Sequence, residues 1–359
     1  MNVLFLFPYP LKESPSQRFR FEQYLDVLQQ SGITLQTQSF WSIATWRILY
    51  KRGFLVRKVA GFVGGIFRRT WSLVKALRAD FVFIHRECLP VGPPVFEWII
   101  AKILRKRIIY DFDDAIWLPN TSEENKLAAL IKWHSKVAYI CRWSYKISCG
   151  NQYLADYARQ FNANVVVNPT TIDTKALHNP DLYPQPTHTR KVIIGWTGTH
   201  STLKYIDPVV PVLKTLENKY PDTFEFRVIA NRKPDLPLNN LTFVPWTKEN
   251  EIPDLLRFDI GIMPLTDDIW AKGKCGFKAL QYMALGVPAI VSPVGVNTEI
   301  VDTKVDGIVA DSENEWLDAM TLLIENENER RRMGNNGRKK IEQHYSVTSN
   351  SSTVLSLFS

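Results

Sequence analysis

One arrangement of residues occurs twice in this chain and constrains its fold more than any other feature. From residue 2, "NVLFLFPYPLKESPSQRFRFEQYLDVLQQSGI" passes from a continuous apolar run through a turn into a pattern with Phe21, Tyr24, Leu25 and Leu28 at helical spacing. From residue 191, "KVIIGWTGTHSTLKYIDPVVPVLKTLENKYPDTFEFRVIA" repeats that order, with Val209, Leu213 and Leu216 on one helical face and a strand expected at 224–229. Two such starts predict two doubly wound parallel sheets, an α/β chain of two Rossmann-like domains. The length agrees, since 359 residues exceed the roughly 250 to 300 at which a single core stops growing.

Further short apolar runs predict strands at 3–7, 80–84, 107–111 and 165–167 in the first half. In the second half they predict strands at 241–244, 260–263, 289–291 and 307–309. "NPTTIDTKALHNPDLYPQPTHTR" is rich in Pro, Thr and Asn and has no apolar period, which is the composition of a linker. From Glu313 onward the pattern is helical and charged. The expected organisation is a first domain at 1–170, a linker at 171–190, a second domain at 191–340 and a terminal helix at 341–359.

Charge is unevenly divided. Residues 1–175 hold 24 Lys and Arg against 13 Asp and Glu, and the remainder hold 20 against 23, so the halves stand near +11 and −3. A domain that basic faces an anionic partner, either a phospholipid surface or a nucleic acid, unless the charge is only a solvated face. Residues 46–78, "WRILYKRGFLVRKVAGFVGGIFRRTWSLVKALR", interleave Lys and Arg with Trp, Phe, Leu and Val. That is the composition of a segment lying on an anionic membrane surface. A pair of packed amphipathic helices would read the same way. No nucleic-acid recognition motif accompanies the charges, so no nucleic acid is expected as partner.

Cys88, Cys141, Cys149 and Cys275 form no C-x-x-C pair and read as thiols in a reducing compartment. The opening "MNVLFLFPYP" is too short and too soon interrupted by Pro8 for a signal peptide, and reads as a first buried strand. With no run of about 18 apolar residues, no membrane span is expected. The localisation expected is cytoplasmic, peripheral on the inner face of a membrane.

Several short stretches carry chemistry. "KCGFKALQYMALGVP" places Gly276 at the mouth of a helix that Gly286 and Pro288 end, with Lys274 and Lys278 near its first turn. A helix N-terminus already carries partial positive charge, so lysines there oppose the dipole unless an anion binds. "IIGWTGTHSTLK" follows a strand with Gly198, the hydroxyls of Thr197, Thr199, Ser201 and Thr202, and Lys204, a set able to cradle phosphate oxygens or to form an ordinary turn. "YDFDDAIW" gathers Asp111, Asp113 and Asp114 at a strand end. Alternation along a strand lets Asp111 and Asp113 point together, to hold a divalent cation or to orient a sugar hydroxyl; a solvated helix cap is the bland alternative. Arg18 and Arg20 follow the first strand, where guanidinium groups could clamp a phosphate. His85, Arg86 and Glu87 follow another.

With these residues in view, the chain resembles the retaining glycosyltransferases of the GT-B fold, family four, also described as glycosyl transferases group 1. "YMALGVPAIVSPVGVNTEIV" looks like that family's donor-site block, "VNPTTIDT" like its interdomain segment, and "VPWTKENEIPDLLRFDIGIMPL" like its base-binding loop, helix and strand. "RRRMGNNGRKKIEQHYS" is similar to its C-terminal helices, the last of which crosses back to the first domain. The resemblance implies two Rossmann-like domains facing across a cleft. It implies donor binding by Gly198, Thr199, Lys204, Arg232, Trp246, Gly276, Phe277, Gln281, the position expected to meet the ribose, and Glu299. Arg18, Arg20, Asp111 and Asp114 fall on the acceptor and phosphate side, with Asp113 where the family has a histidine touching the transferred sugar. The family's two glutamates eight positions apart are replaced by Gly273 and Gln281, and the arginine beside its phosphate-binding lysine by Thr199.

The reading is therefore a retaining glycosyltransferase, with Asp113, Lys274 and Lys278 as its catalytic groups. It would transfer from a nucleotide-diphosphate sugar to a saccharide or lipid-linked saccharide, in surface polysaccharide or glycolipid synthesis, with no metal and no cofactor. Two alternatives stand beside it: a metal-dependent transferase using the DxD spacing at Asp111 and Asp113, and a sugar-nucleotide-binding protein of weakened catalysis. A nicotinamide dehydrogenase would need a glycine fingerprint that the chain lacks.

Overall fold

The computed structural model describes residues 1–119, 133–184 and 191–359. Residues 185–190 of the expected linker lie outside this set. The chain forms two compact units, one of residues Met1–Thr170 with Asn350–Ser359, the other of Thr171–Ser349.

In the first unit the strands are β1 (Asn2–Phe7), β2 (Thr34–Ser39), β3 (Phe81–His85), β4 (Arg107–Phe112), β5 (Lys146–Cys149) and β6 (Val165–Val167). All pair in parallel in the order β2-β1-β3-β4-β5-β6. Its helices include α1 (Pro15–Arg18), α2 (Leu25–Gln30), α3 (Ile43–Leu49), α4 (Leu55–Ala76), α5 (Val95–Trp98), α6 (Lys136–Trp143) and α7 (Gln152–Arg159). The strands β1, β3 and β4 are almost wholly buried because helices cover both faces, which is why they read as unbroken apolar runs. The Phe5 ring lies 5.6 Å from Phe21 and 4.7 Å from Phe83. Phe358, near the end of the chain, completes that cluster 6.2 Å from Phe5 and 6.3 Å from Phe83.

The long helix α4 is held close by two glycines. A Cβ on Gly65 would stand 2.5 Å from the Phe40 ring, and one on Gly61 2.4 Å from the Thr45 side chain. Arg69, on the same buried face, donates to the carbonyls of Phe7, Gln38 and Cys88 at 2.6, 2.9 and 2.9 Å. One guanidinium thereby ties the helix to the ends of β1 and β2 and to the loop after β3, and burial lowers its pKa.

The second unit holds β7 (Val192–Gly198), β8 (Phe224–Ala230), β9 (Leu241–Pro245), β10 (Ile260–Met263), β11 (Ala289–Val291) and β12 (Gly307–Val309). These are parallel in the order β12-β11-β10-β7-β8-β9. Among its helices are α8 (Val210–Lys219), α9 (Glu251–Leu255), α10 (Ile269–Lys272), α11 (Phe277–Ala284), α12 (Asn297–Ile300), α13 (Glu313–Glu325) and α14 (Glu327–Lys340). A last helix, α15 (Val347–Ser356), carries the chain from this unit into the first. Trp196, Val209, Leu213 and Leu216 share one core with strands β8 and β10 and with Trp316 and Met320 of α13.

Each sheet reverses its winding once, between β1 and β3 in one unit and between β7 and β10 in the other. In open parallel sheets, ligands collect outside the carboxyl ends of the strands at such reversals.

Candidate functional site

In the second unit the carboxyl end of β7 is Gly198, where a Cβ would stand 2.3 Å from the Trp196 ring and 2.7 Å from Thr202 Oγ1. Thr199 then caps the following turn, its N–H donating to Thr202 Oγ1 at 3.1 Å and its hydroxyl 2.9 Å from that of Ser201. The chain leaves β10 through α10, whose N-cap Asp268 accepts from the Ala271 N–H at 2.7 Å, and enters α11 at Gly276. Gly276 has φ +66°, and a Cβ there would meet Ile300 at 2.1 Å, so both backbone and packing require glycine. Tyr282 fixes the helix to the sheet. Its hydroxyl accepts from the Thr197 N–H at 3.0 Å and donates to the Ile262 carbonyl at 3.4 Å, and burial raises its pKa. Its ring lies over Gly261, where a Cβ would be 2.3 Å away.

This scaffold gathers three ammonium groups on two aromatic rings. Lys204 and Lys274 stand 5.3 and 5.6 Å from the centroid of Tyr205, and Lys278 stands 5.4 Å from that of Trp196. The lysines come from three places, the turn after β7, the loop before α11 and its first turn, and the reversal between β7 and β10 unites them. The N-terminus of α11 adds its own partial positive charge. What the arrangement does well is hold an anion.

The other residues expected to bind donor lie along the same edge. Arg232 is exposed just beyond β8. Trp246 follows β9 and is held by its N–H to the Ala230 carbonyl at 2.9 Å. Phe277 is half-buried at the start of α11, and Glu299 is exposed on α12, beyond β11. Gln281 departs from expectation. It is 2% exposed and its amide nitrogen lies 3.3 Å from His178 Nε2, so the side chain is buried against His178 rather than presented at the surface.

At the reversal of the first unit, two ion-pair systems meet. The Arg20 guanidinium and the Asp111 carboxylate lie 2.5 Å apart, both buried. Arg20 also donates to the Asn168 carbonyl and to Ser148 Oγ, while Asp111 accepts from Ser148 at 2.6 Å and pairs with His85 Nδ1 at 2.7 Å. Burial pushes the Asp111 pKa up, but the Arg20 charge and the His85 contact outweigh it and hold the carboxyl well below its usual range. Arg86, in the left-handed region with φ +61°, reaches Asp113 at 2.8 Å and Asp114 at 2.7 Å. Burial again opposes ionisation of Asp113, and the Arg86 charge again overcomes it.

Ser16, on α1, joins the two systems. Its hydroxyl donates to Asp113 Oδ1 at 3.0 Å and lies 2.8 Å from His85 Nε2, so a continuous chain of polar contacts runs from Asp113 through Ser16 and His85 to Asp111.

The expected roles of Arg20 and Asp111 need correction on this geometry. Arg20 is 2% exposed and committed to Asp111, so it is a structural partner rather than a phosphate clamp. Asp111 and Asp113 do not share a cation position, because each carboxylate is matched to its own arginine. Arg18 remains half-buried on α1, its guanidinium 4.9 Å from the Phe19 ring. Among the described residues, no group of three or more His, Cys, Asp or Glu is arranged to hold a metal. Sequence reasoning gave Ser16, Trp196 and Tyr205 no role in the site, and rated His85 and Arg86 only as residues following a strand. The signal available for the last two was their position directly after β3.

Residues 228–340 match the model of the family described as glycosyl transferases group 1. The whole chain superposes on known structures of low sequence identity. A glycosyltransferase from Rickettsia africae is 13% identical with a TM-score of 0.70, covering 99% of this chain and 97% of that one. Anabaena HepE, in complex with UDP and glucose, is 14% identical with a TM-score of 0.65, covering 99% and 98%. Sucrose-phosphate synthase from Thermosynechococcus elongatus is 12% identical with a TM-score of 0.65, covering 100% and 98%. The fold is GT-B. The residues that match the group 1 model lie in its second unit, and the lysines lie at that unit's β7–β10 reversal, between the turn after β7 and the start of α11. No curated protein sequence matches the chain.

Proposed function

We propose that this GT-B protein transfers a sugar from a nucleotide-diphosphate sugar, bound by the second unit, to a saccharide or lipid-linked saccharide. Transfer proceeds with retention of anomeric configuration and without a bound metal. The observation that carries this reading is the convergence of Lys204, Lys274 and Lys278 on Trp196 and Tyr205 beside the mouth of α11. Ammonium groups beside a helix N-terminus suit an anion, and the diphosphate of a nucleotide-sugar is the anion we assign to them. The structurally similar HepE is known in complex with UDP, which makes UDP the first nucleotide to test.

The chemistry follows from charge. As the glycosidic bond to the donor breaks, negative charge builds on the departing diphosphate and positive charge on the sugar. Fixed cations answer the first demand, and one such preorganised donor contributes about 3 to 4 kcal/mol to the barrier. Lys274 and Lys278 take that role. In the first unit, Asp113, Arg18 and Asp114 are the candidates for contacting the acceptor.

The test combines binding and turnover. Nucleoside diphosphates and their sugars are screened by thermal shift, where a ligand at a hundred times its dissociation constant adds about 2.7 kcal/mol. Slow hydrolysis or transfer of the responding donor is then followed by proton NMR of the released anomer, with and without chelator. Retention and undiminished activity in chelator are expected. An inverted product or a chelator-sensitive reaction would overturn the mechanism, and no response to any nucleotide would overturn the function. Binding without turnover would instead favour a sugar-nucleotide-binding protein, the reading to which the buried Gln281 and the glycine at 273 point.

A further inference from the structure

Helix α4 presents one face to the protein and a different chemistry to solvent. Gly65, Arg69, Ser72 and Ala76 are buried. On the opposite side Val56, Val59, Val63, Phe67, Trp71 and Val74 are between 44% and 82% exposed. They recur every three or four residues, so with 3.6 residues per turn they form a single stripe about a third of the circumference wide. Arg57 and Lys75 fall along one border of the stripe, with Arg68 between them donating to the Phe40 carbonyl, and Arg78 follows its end. Lys51 and Arg52 lie in the turn before the helix. Between Phe40 and Ala79 there are nine Lys and Arg and no Asp or Glu.

An exposed apolar stripe of this length in a folded protein marks an interaction surface. The border of basic residues, unrelieved by any acid over the whole interval from Phe40 to Ala79, selects an anionic partner. A stripe along a helix of 22 residues selects an extended, flat one. We infer that α4 docks in the plane of an anionic lipid bilayer, with Phe67 and Trp71 entering the acyl boundary and the basic residues meeting lipid phosphates. No helix among the described residues is long and apolar enough to cross a membrane, so the contact is one of lying on the surface. The Arg69 clamp and the Gly61 and Gly65 contacts hold the helix against the sheet, which keeps the stripe outward and preformed. The inference does not depend on the donor reading, since it uses no residue of the lysine cluster.

The experiment is co-sedimentation of the full chain with vesicles of phosphatidylcholine alone and of phosphatidylcholine with about 30% phosphatidylglycerol. Binding is expected only to the second, and Phe67→Asp with Trp71→Asp should weaken it at least about tenfold. Both residues are exposed, so the variant's melting curve should match the parent's. Arg57→Glu with Lys75→Glu should weaken binding and remove its salt dependence. Quenching of tryptophan fluorescence by brominated lipid should fall in Trp71→Phe. Equal binding to both vesicle types, or unchanged binding by the Phe67 and Trp71 variant, overturns the inference. So does a lipid-free dimer that this variant dissociates, because the stripe would then be covered by a second copy.

Discussion

Replacing Lys274 and Lys278 together by alanine should cost the empty protein no more than about 1.5 kcal/mol and remove most of its response to UDP. Lys204 and Lys274 lie no more than about 11 Å apart, since both face the Tyr205 ring. At an effective dielectric of about 20, two unit charges at that distance repel by about 1.5 kcal/mol. Lys204 is exposed, and a screening length near 8 Å in physiological salt reduces this to about 0.5 kcal/mol. The two cation–π contacts that disappear with the lysines are worth about 0.5 to 1 kcal/mol each, so the empty variant should lose no more than about 1.5 kcal/mol. The effect on ligand binding is larger. A charge-assisted contact contributes about 1.5 to 3 kcal/mol, so losing two weakens affinity about a hundredfold or more. UDP supplied at a hundred times the parent's dissociation constant stabilises the parent by about 2.7 kcal/mol, and the variant by about 0.4. Differential scanning fluorimetry with and without UDP, at low and high salt, reads both numbers. A variant that keeps the full UDP shift refutes the placement of the diphosphate. A variant destabilised by several kcal/mol without ligand shows that the lysines are structural.

Two predictions concern the scaffolds of the two units. Asp111→Asn should cost about 3 to 5 kcal/mol, because it leaves the buried Arg20 without its counter-charge, and hydrogen exchange should localise the loss to the first unit. Since the folded-state pKa of Asp111 is depressed, its contribution is complete above the unfolded value of about 3.9 and is lost as pH falls below it; acid titration by circular dichroism should therefore show the first unit failing early, and less so in Arg20→Met with Asp111→Leu. Tyr282→Phe should cost about 1 to 3 kcal/mol by stranding the buried Thr197 N–H, and should lower affinity for UDP as α11 loosens from the sheet, both measurable by denaturant titration with and without nucleotide.

How far the fold could be read beforehand depended on burial. Strands β1, β3, β4, β7, β8 and β10 are covered on both faces, and their apolar runs announce them. The edge strand β2, "TLQTQS", is polar and takes its conformation from pairing with β1. The four-residue β5 contains Lys146 and Ser148, whose polar side chains look like loop until Lys146 is seen to donate to the carbonyls of Ser356 and Ser359, and Ser148 to Asp111. The same limit applies to the candidate site. Lys274, Gly276 and Lys278 are neighbours in sequence and visibly oppose a helix dipole, so local reasoning groups them. Arg20 and Asp111 are 91 positions apart, and only the adjacency of β1, β3 and β4 creates their pair. A strand-end aspartate looks available for a ligand until the arginine that consumes it is located. Gln281 looks like a ligand contact for the opposite reason: its helical position is legible, and its contact with His178, 103 positions away, is not.

The tail of the chain has a consequence for biosynthesis. Phe358 fills a gap among Phe5, Phe81 and Phe83, and the Lys146 ammonium and Tyr145 hydroxyl grip the carbonyl of Ser359. These contacts close the core of the unit that leaves the ribosome first, using residues that leave it after the whole second unit. The earlier unit must therefore wait, incompletely packed, while its neighbour is translated, and a ribosome that stalls before residue 350 releases a chain whose N-terminal half is the part left open to proteolysis.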